Sequence, residues 1–361
     1  MSLTKSDIVD GLVEASETWM DPAFPGREQA VEATLHLDNR FTYEAISFSI
    51  NQQMSLVTKE TLLRWFGDGP SVSGRRIGAL VSGNIPFVGF HDFAAILLSR
   101  GSYVGGLSSR SPYLLPAFAE TLRKIVPIDC RFIDGVGERR LDTLISSVDG
   151  LIATGTGETM QLVRERCDEA GLSELLARRP SFSVAVLDGR ESDDDLEALA
   201  EDVLLYDGLG CRSVTIVFAP ESMPIDPFLN ACNRFRAVFP AHERTTAELR
   251  MNTALLEAAG TPCAYPDDHS FLISRGDAEP MGPGHVRWVW YGDVSSPAEW
   301  IGRHAASLQI VVSSDRVAKT LKETPVTVVR PGEGQRPPFD WEPDGISVLD
   351  FLRRIETSAE A

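Results

Sequence analysis

The sequence predicts an α/β protein built on parallel sheets, and three observations carry that prediction. Short apolar runs of β-type recur along the chain, at 77–81, 151–153, 183–187 and 214–218. The first three each end in a turn containing glycine. A stretch with helical spacing of apolar residues then follows. Strands and helices alternating in this way are the pattern of βαβ units, whose strands lie parallel.

Residues 1–70 read as peripheral, with one or two helices. The 77–81 run enters the turn Gly83-Asn84-Ile85-Pro86, and 88–99 reads as an apolar helix that Gly101 ends. Tyr103 and Val104 begin another extended stretch. Ser111-Pro112 reads as a helix start, with Ser at the N-cap and Pro at the first helical position. Leu114, Leu115, Phe118 and Leu122 share one face of that helix. The 151–153 strand enters Thr154-Gly155-Thr156-Gly157 and a further helix. After the 183–187 strand, Ser192 caps a helix whose first turn carries Asp193, Asp194 and Asp195, as the helix dipole favours. Leu196, Leu199, Val203 and Leu204 form its apolar face, and Gly208-Leu209-Gly210 breaks it. Helices are expected near 227–238 and 244–259, and strands at 286–291, 308–312 and 326–329.

Composition bounds the function. The chain has 361 residues, 43% of them hydrophobic, which is a globular composition with enough length for two or three domains. With 34 basic and 52 acidic residues the net charge is −18, which argues against nucleic acid or an anionic membrane surface as a partner. No apolar run approaches the roughly 18 residues of a membrane span, and 1–12 lack the pattern of a secretory leader. Five cysteines without a CxxC pair suggest neither a zinc site nor a disulfide framework, and point to a reducing cytoplasm.

Four places suggest chemistry. Cys211 follows Gly208-Leu209-Gly210 and precedes Arg212, a setting in which backbone can approach a ligand and a guanidinium can favour a thiolate. The competing assignment is a small core residue, which suits the other four cysteines. Asn84, at a strand end, can aim amide donors at an oxyanion, or simply form a turn before proline. Thr154-Gly155-Thr156-Gly157 joins strand to helix, where backbone N–H groups can bind phosphate. Asp188 ends a strand as either a site carboxylate or a turn residue. Asp267-Asp268-His269 with His285 lacks diagnostic ligand spacing, so no metal site is expected, and His91-Asp92 reads as a structural pair.

Taken in order, these segments resemble the LuxC-type acyl-CoA reductases of the aldehyde dehydrogenase superfamily. The matching stretches are SGNIPFVGFHDF (82–93), LSSRSPYLLPAFAE (107–120), LIATGTGET (151–159), FSVAVLDGRES (182–192), EDVLLYDGLGCRSV (201–214) and GEGQRPPFDWEPDGISVLDFL (332–352). The resemblance implies an aldehyde-dehydrogenase-like fold with a nucleotide-binding parallel-sheet domain, a catalytic α/β domain and an active site in the cleft between them. The expected borders are a helical segment 1–74, the nucleotide-binding domain 75–189, the catalytic domain 190–312 and a C-terminal segment 313–361 returning toward the cleft.

The resemblance also implies roles. Cys211 matches the nucleophile and Asn84 the oxyanion-hole asparagine, and Asp188 lies near the position of a general-base Glu. Thr154, Gly155 and Thr156 match the turn facing the cofactor pyrophosphate, and Ser108 and Ser109 the segment near the adenosine ribose. The family usually carries Lys just before its Leu-Ser-Ser, and this chain has Gly106 there. The implied activity is reduction of an acyl-CoA or acyl-protein thioester to an aldehyde, with NADPH as cofactor and NADH as the second candidate. An acyl-protein synthetase or other acyl-activating ligase is the implied partner, and a homo-oligomer the implied assembly. Gly106 motivates one alternative, an acyl-accepting, complex-forming protein with weak reductase activity. The other alternative is a dehydrogenase oxidising an aldehyde to an acid.

Overall fold

The chain forms two units, seen in a computed structural model that describes residues 3–135, 137–321 and 324–358. The first unit takes Met1–Asn39, Ile46–Pro180 and Pro338–Ala361; the second takes Arg40–Ala45 and Ser181–Pro337. Expected and observed borders differ. The strand near 183 hydrogen-bonds into the second sheet and so draws the border back from 189 to 180. The helical N-terminus joins the first unit, and 313–337 joins the second.

Four helices precede the first strand, where one or two were expected: α1 (Lys5–Met20), α2 (Pro25–Leu35), α3 (Tyr43–Leu56) and α4 (Lys59–Phe66). They are not peripheral. Thr4 starts α1 with a reciprocal capping box to Asp7. Ile8, Leu12, Ala15 and Trp19 then form one fully buried stripe. The Trp19 ring stacks on Phe87 at 5.7 Å and meets Phe118 edge-on at 5.4 Å, while its Nε1–H donates to Thr121 Oγ1 at 3.0 Å. The apolar ring and the polar N–H are both satisfied, which anchors α1 firmly.

The alternating part follows as β1 (Arg76–Leu80), α5 (Phe90–Leu98), β2 (Ser102–Gly106), α6 (Leu114–Ile125), β3 (Cys130–Phe132), α7 (Gly137–Ile145), β4 (Gly150–Thr154), α8 (Gly157–Ala170) and β5 (Leu175–Arg178). The sheet is wholly parallel, in the order β3-β2-β1-β4-β5. The chain builds outward from β1 to β3 and then crosses to β4, which makes β1/β4 the switch point where ligands of such sheets bind. Helix α6 starts at Leu114 with no side-chain cap, so Ser111 and Pro112 lie outside it. Its expected face of Leu114, Leu115, Phe118 and Leu122 is buried. Asp92 pairs with Arg178 through two bonds of 2.6 Å, and not with His91. His91 lies against the rings of Trp65 and Phe339, where burial pushes its pKa down to about 4.

The second unit runs β6 (Phe182–Val186), α9 (Asp193–Leu204), β7 (Val214–Pro220), α10 (Asp226–Val238), α11 (Glu243–Ala258), β8 (Cys263–Ala264), β9 (Leu272–Arg275), β10 (His285–Tyr291), α12 (Ser295–His304), β11 (Leu308–Ser313), α13 (Asp315–Thr320) and β12 (Val328–Val329). The seven strands take the order β12-β11-β6-β7-β10-β9-β8, and only the β8/β9 pair is antiparallel. Ser192 caps α9 through a capping box with Asp195, as expected. Leu196, Leu199, Val203 and Leu204 pack into one core with Phe228, Cys232 and Trp288. The chain then re-enters the first unit and ends in α14 (Val348–Ser358). There Ile355 approaches β4 so closely that a Cβ on Gly150 would lie 2.5 Å from it. None of the helices of the described residues is long and apolar enough to cross a membrane.

Candidate active site

In the first unit the expected site residues gather at the carboxyl ends of β1, β2 and β4. Asn84 lies four residues past Leu80, in the loop leading to α5. Its Oδ1 accepts the Ser82 hydroxyl at 2.7 Å. That bond assigns the carboxamide orientation, with the oxygen as acceptor and the NH₂ as the donor side. The loop is held from behind. Phe87 adopts a left-handed φ of 59°, rare for a bulky residue, and its carbonyl accepts from Gln53 at 3.2 Å. Ser49 donates to the Pro86 carbonyl at 2.8 Å, and Phe87 is buried between Trp19 and Phe90. Strain of this kind persists only where surrounding contacts over-determine it.

The β1 and β2 exits meet. A Cβ on Gly83 would fall 2.3 Å from Ser108 Oγ, so only glycine permits this approach. Ser108 is half-buried and Ser109 is exposed. Past β4, Thr156 caps α8 with its hydroxyl on Thr159 N, and Thr156 and Gly157 are exposed. Gly106 differs from the other positions. It lies inside β2 under α7, where a Cβ would sit 2.9 Å from Leu144 Cδ2.

In the second unit Cys211 stands on a turn at the amino end of β7, half-buried. The turn is strained. Tyr206, Asp207 and Gly208 take φ of 56°, 53° and 75° in succession. Asp207, 4% exposed, holds them by accepting Thr245 Oγ1 at 2.6 Å and His242 N at 3.1 Å, and by pairing with buried Arg236 at 2.9 Å. On the far side, Ser183 Oγ donates to the Cys211 carbonyl at 3.0 Å and Ser213 Oγ accepts Gly210 N at 3.2 Å. Gln335 Nε2 donates to Ser213 Oγ at 3.1 Å, which ties the 332–337 segment to the turn.

Arg212 is buried and gives its guanidinium to the carbonyls of Glu333 and Gly334. Burial lowers its pKa to about 10, and the attraction of the Cys211 side chain opposes that fall. Beside it, Asp202 accepts Gly332 N and Gln335 N at 2.7 and 3.1 Å, yet burial raises its pKa to about 7. A raised carboxyl contributes stability below its ordinary pKa near 4 and loses it as pH rises through the folded value. The expected result is that wild type loses at least about 1 kcal/mol more than Asp202→Asn between pH 5 and pH 8. Urea midpoints of both proteins at the two pH values check it.

Asp188 does not join Cys211. It follows β6 at the carboxyl end of the sheet, whereas the Cys211 turn meets Ser183 at the amino end. The four residues from Ser183 to Leu187 span roughly 13 Å at the rise of a strand. Asp188 instead accepts Arg316 through two bonds of 2.7 and 3.0 Å, which hold its carboxyl below the usual range. His285 is buried with Nε2 at 2.7 Å from Ser274 Oγ, and His269 stacks on Tyr265. Among the described residues no group of three or more His, Cys, Asp or Glu is placed to hold a metal ion.

Both the doubly wound first sheet and the cysteine-bearing second sheet are features of an aldehyde-dehydrogenase-like fold, and solved structures bear this out. The P. syringae indole-3-acetaldehyde dehydrogenase AldA, a mutant solved in complex with NAD⁺ and IAA, aligns with a TM-score of 0.71 at 11% identity, over 91% of this chain and 76% of that one. HpcC from Thermus thermophilus gives 0.69 at 15%, over 91% and 74%. A NAD-dependent benzaldehyde dehydrogenase from Corynebacterium glutamicum gives 0.67 at 14%, over 91% and 81%. Within that class, residues 74–230 match the family described as acyl-CoA reductase (LuxC). The matched segment contains Asn84, Thr154 and Cys211. Residues 74–230 are thus similar to that family, and the solved structures show an aldehyde-dehydrogenase-like fold. No curated protein matches the chain.

The first unit has a place of the kind where nucleotides bind to such sheets. The sheet has a switch point at β1/β4, and a Cβ on Gly157 at the start of α8 would meet nothing within 4 Å. The Nε of Arg140 is buried without an acceptor.

Proposed function

We propose that the protein reduces an acyl-CoA or acyl-protein thioester to an aldehyde through an acyl intermediate on Cys211, using NADPH or, as second candidate, NADH. The observation carrying this reading is the Cys211 turn. A half-buried thiol sits on a strained, over-determined loop, electrostatically coupled to a buried guanidinium. Such a setting belongs to a nucleophile more than to a packing residue.

The Cys211 thiolate attacks the thioester carbonyl. In this scheme the oxyanion takes a hydrogen bond from the Cys211 backbone N–H, and Asn84 keeps the oxyanion-hole role that the resemblance implies for it. Collapse of the tetrahedral intermediate expels the CoA thiolate and leaves the acyl group on sulfur. Thr154, Gly155, Thr156, Ser108 and Ser109 are the residues that would hold the cofactor, which supplies a hydride when bound. After reduction at the acyl carbon, the Cys211 thiohemiacetal collapses to the aldehyde and frees the thiolate. Asp188, tied to Arg316, fixes the turn after β6 and moves no proton in this scheme. A thioester of this kind comes from an acyl-activating ligase, the partner this reading requires. The reading also places the protein in the cytoplasm and leaves room for a homo-oligomer.

Purified protein given acyl-CoAs of several chain lengths and NADPH is expected to form one aldehyde per NADPH consumed. Bound cofactor without turnover of any thioester would leave only an acyl-accepting protein. Asn84→Ala is expected to lower kcat by about 10²–10³ with little change in KM, because the lost donor acts on the transition state. Steady-state kinetics decide it.

A further inference from the structure

We propose that Arg140 of α7 makes the protein select NADPH over NADH, by binding the 2′-phosphate of the cofactor's adenosine ribose at the carboxyl end of β2. The inference rests on the cofactor reading above and adds a residue to it. In doubly wound sheets an acidic side chain after β2 binds the ribose hydroxyls of NAD, and an arginine there accommodates the phosphate of NADP. Residues 105–109 read Gly-Gly-Leu-Ser-Ser and carry neither; the next residue of the loop, Arg110, is an exposed arginine whose backbone N–H donates to Ser108 Oγ.

A cation reaches that place from a neighbouring element. The Arg140 guanidinium donates through one terminal nitrogen to the carbonyl of Leu107, the first residue past β2. Its Nε is buried with no acceptor. The acids beside it on α7 are engaged elsewhere. Glu138 and Asp142 both face Arg166 of α8, at 2.8 and 3.6 Å. Among the described residues no carboxylate pairs with Arg140, and burial alone lowers its pKa. The half-buried guanidinium thus has no carboxylate partner among the described residues, and an anionic ligand group could pair with it.

Gly106 belongs to the same arrangement. Leu144, one turn beyond Arg140 on α7, fills the space a side chain at 106 would need. The glycine lets α7 lie against β2, and α7 carries Arg140 to the strand end. Ser108 and Ser109 stand in the same exit loop as additional phosphate donors.

The test is fluorescence titration of purified protein with NADPH and NADH, and competition by 2′,5′-ADP and 5′-AMP. Wild type is expected to bind NADPH at least tenfold more tightly than NADH, and 2′,5′-ADP more tightly than 5′-AMP. Arg140→Gln is expected to weaken NADPH and 2′,5′-ADP about 10- to 100-fold and NADH less than threefold. Arg140→Lys should restore part of the preference. Equal weakening of both cofactors, unchanged NADPH affinity, or a wild type without preference for NADPH overturns the proposal and leaves the cofactor reading standing. Failure of wild type to bind either cofactor overturns both. Circular dichroism melts of the variants show whether a loss reflects binding, and if Arg140→Gln is unfolded the same titrations on Arg140→Lys decide, an unchanged ratio of 2′,5′-ADP to 5′-AMP affinity overturning the proposal.

Discussion

Cys211→Ala is expected to abolish NADPH consumption with acyl-CoA, a loss of roughly 10⁶ in kcat of the size that follows deletion of an activated nucleophile. Water or solvent thiols cannot replace the sulfur, because only a tethered acyl group avoids the entropy of a bimolecular encounter. The fold should be unaffected. The side chain is half-buried, and the interactions that hold its turn come from the Cys211 carbonyl and from neighbouring residues. The variant should therefore bind NADPH as wild type does while consuming none. Cofactor binding by titration and turnover by absorbance, run on the same preparation, separate the two. Turnover equal to wild type would remove Cys211 from the chemistry.

Arg236→Met is expected to be the most destabilising single change near the site, by about 3–5 kcal/mol. Arg236 and Asp207 are 5% and 4% exposed as side chains and pair at 2.9 Å. Removing the cation strands a carboxylate that two further donors, from His242 and Thr245, do not neutralise. Since total stability of a domain is about 5–15 kcal/mol, such a loss should be plain in urea denaturation. Adding Asp207→Asn should recover a good part of it. Asparagine tolerates the left-handed φ of 53° at that position and removes the orphaned charge. A double variant as unstable as the sum of the two singles would show that the pair is not coupled. Because Asp207 fixes the turn ahead of Cys211, the single variant should also lose activity before it unfolds.

Much of this was legible in the sequence, because the fold repeats one signal. Apolar β-type runs closed by glycine turns marked β1, β4 and β6, and the Ser192 capping box marked α9. The short strands β3, β5, β8 and β9 have between two and four residues and too little pattern to stand out. The buried stripe of α1 was readable as Ile8, Leu12, Ala15 and Trp19, but polar residues between them masked it. Asn84 and Cys211 stood out as candidates because of their turns. Their supports did not. Asp207 pairs with Arg236 29 positions away, and Asp202 reaches Gln335 across 133 positions. Asp188 misled because a strand-end carboxylate looks alike at either edge of a sheet, and only strand direction separates it from Cys211. Arg140 gave no signal at all, since its position depends on how closely α7 approaches a glycine in β2.

The central claim is that an acyl group passes through Cys211, and intact-mass measurement tests it most directly. Protein incubated with an acyl-CoA in the absence of NADPH should gain the mass of one acyl group, located on the peptide containing Cys211. Adding NADPH should discharge that adduct with formation of aldehyde, and Cys211→Ala should never acquire it. An adduct on another residue, or one that NADPH leaves in place while aldehyde accumulates, would contradict the account.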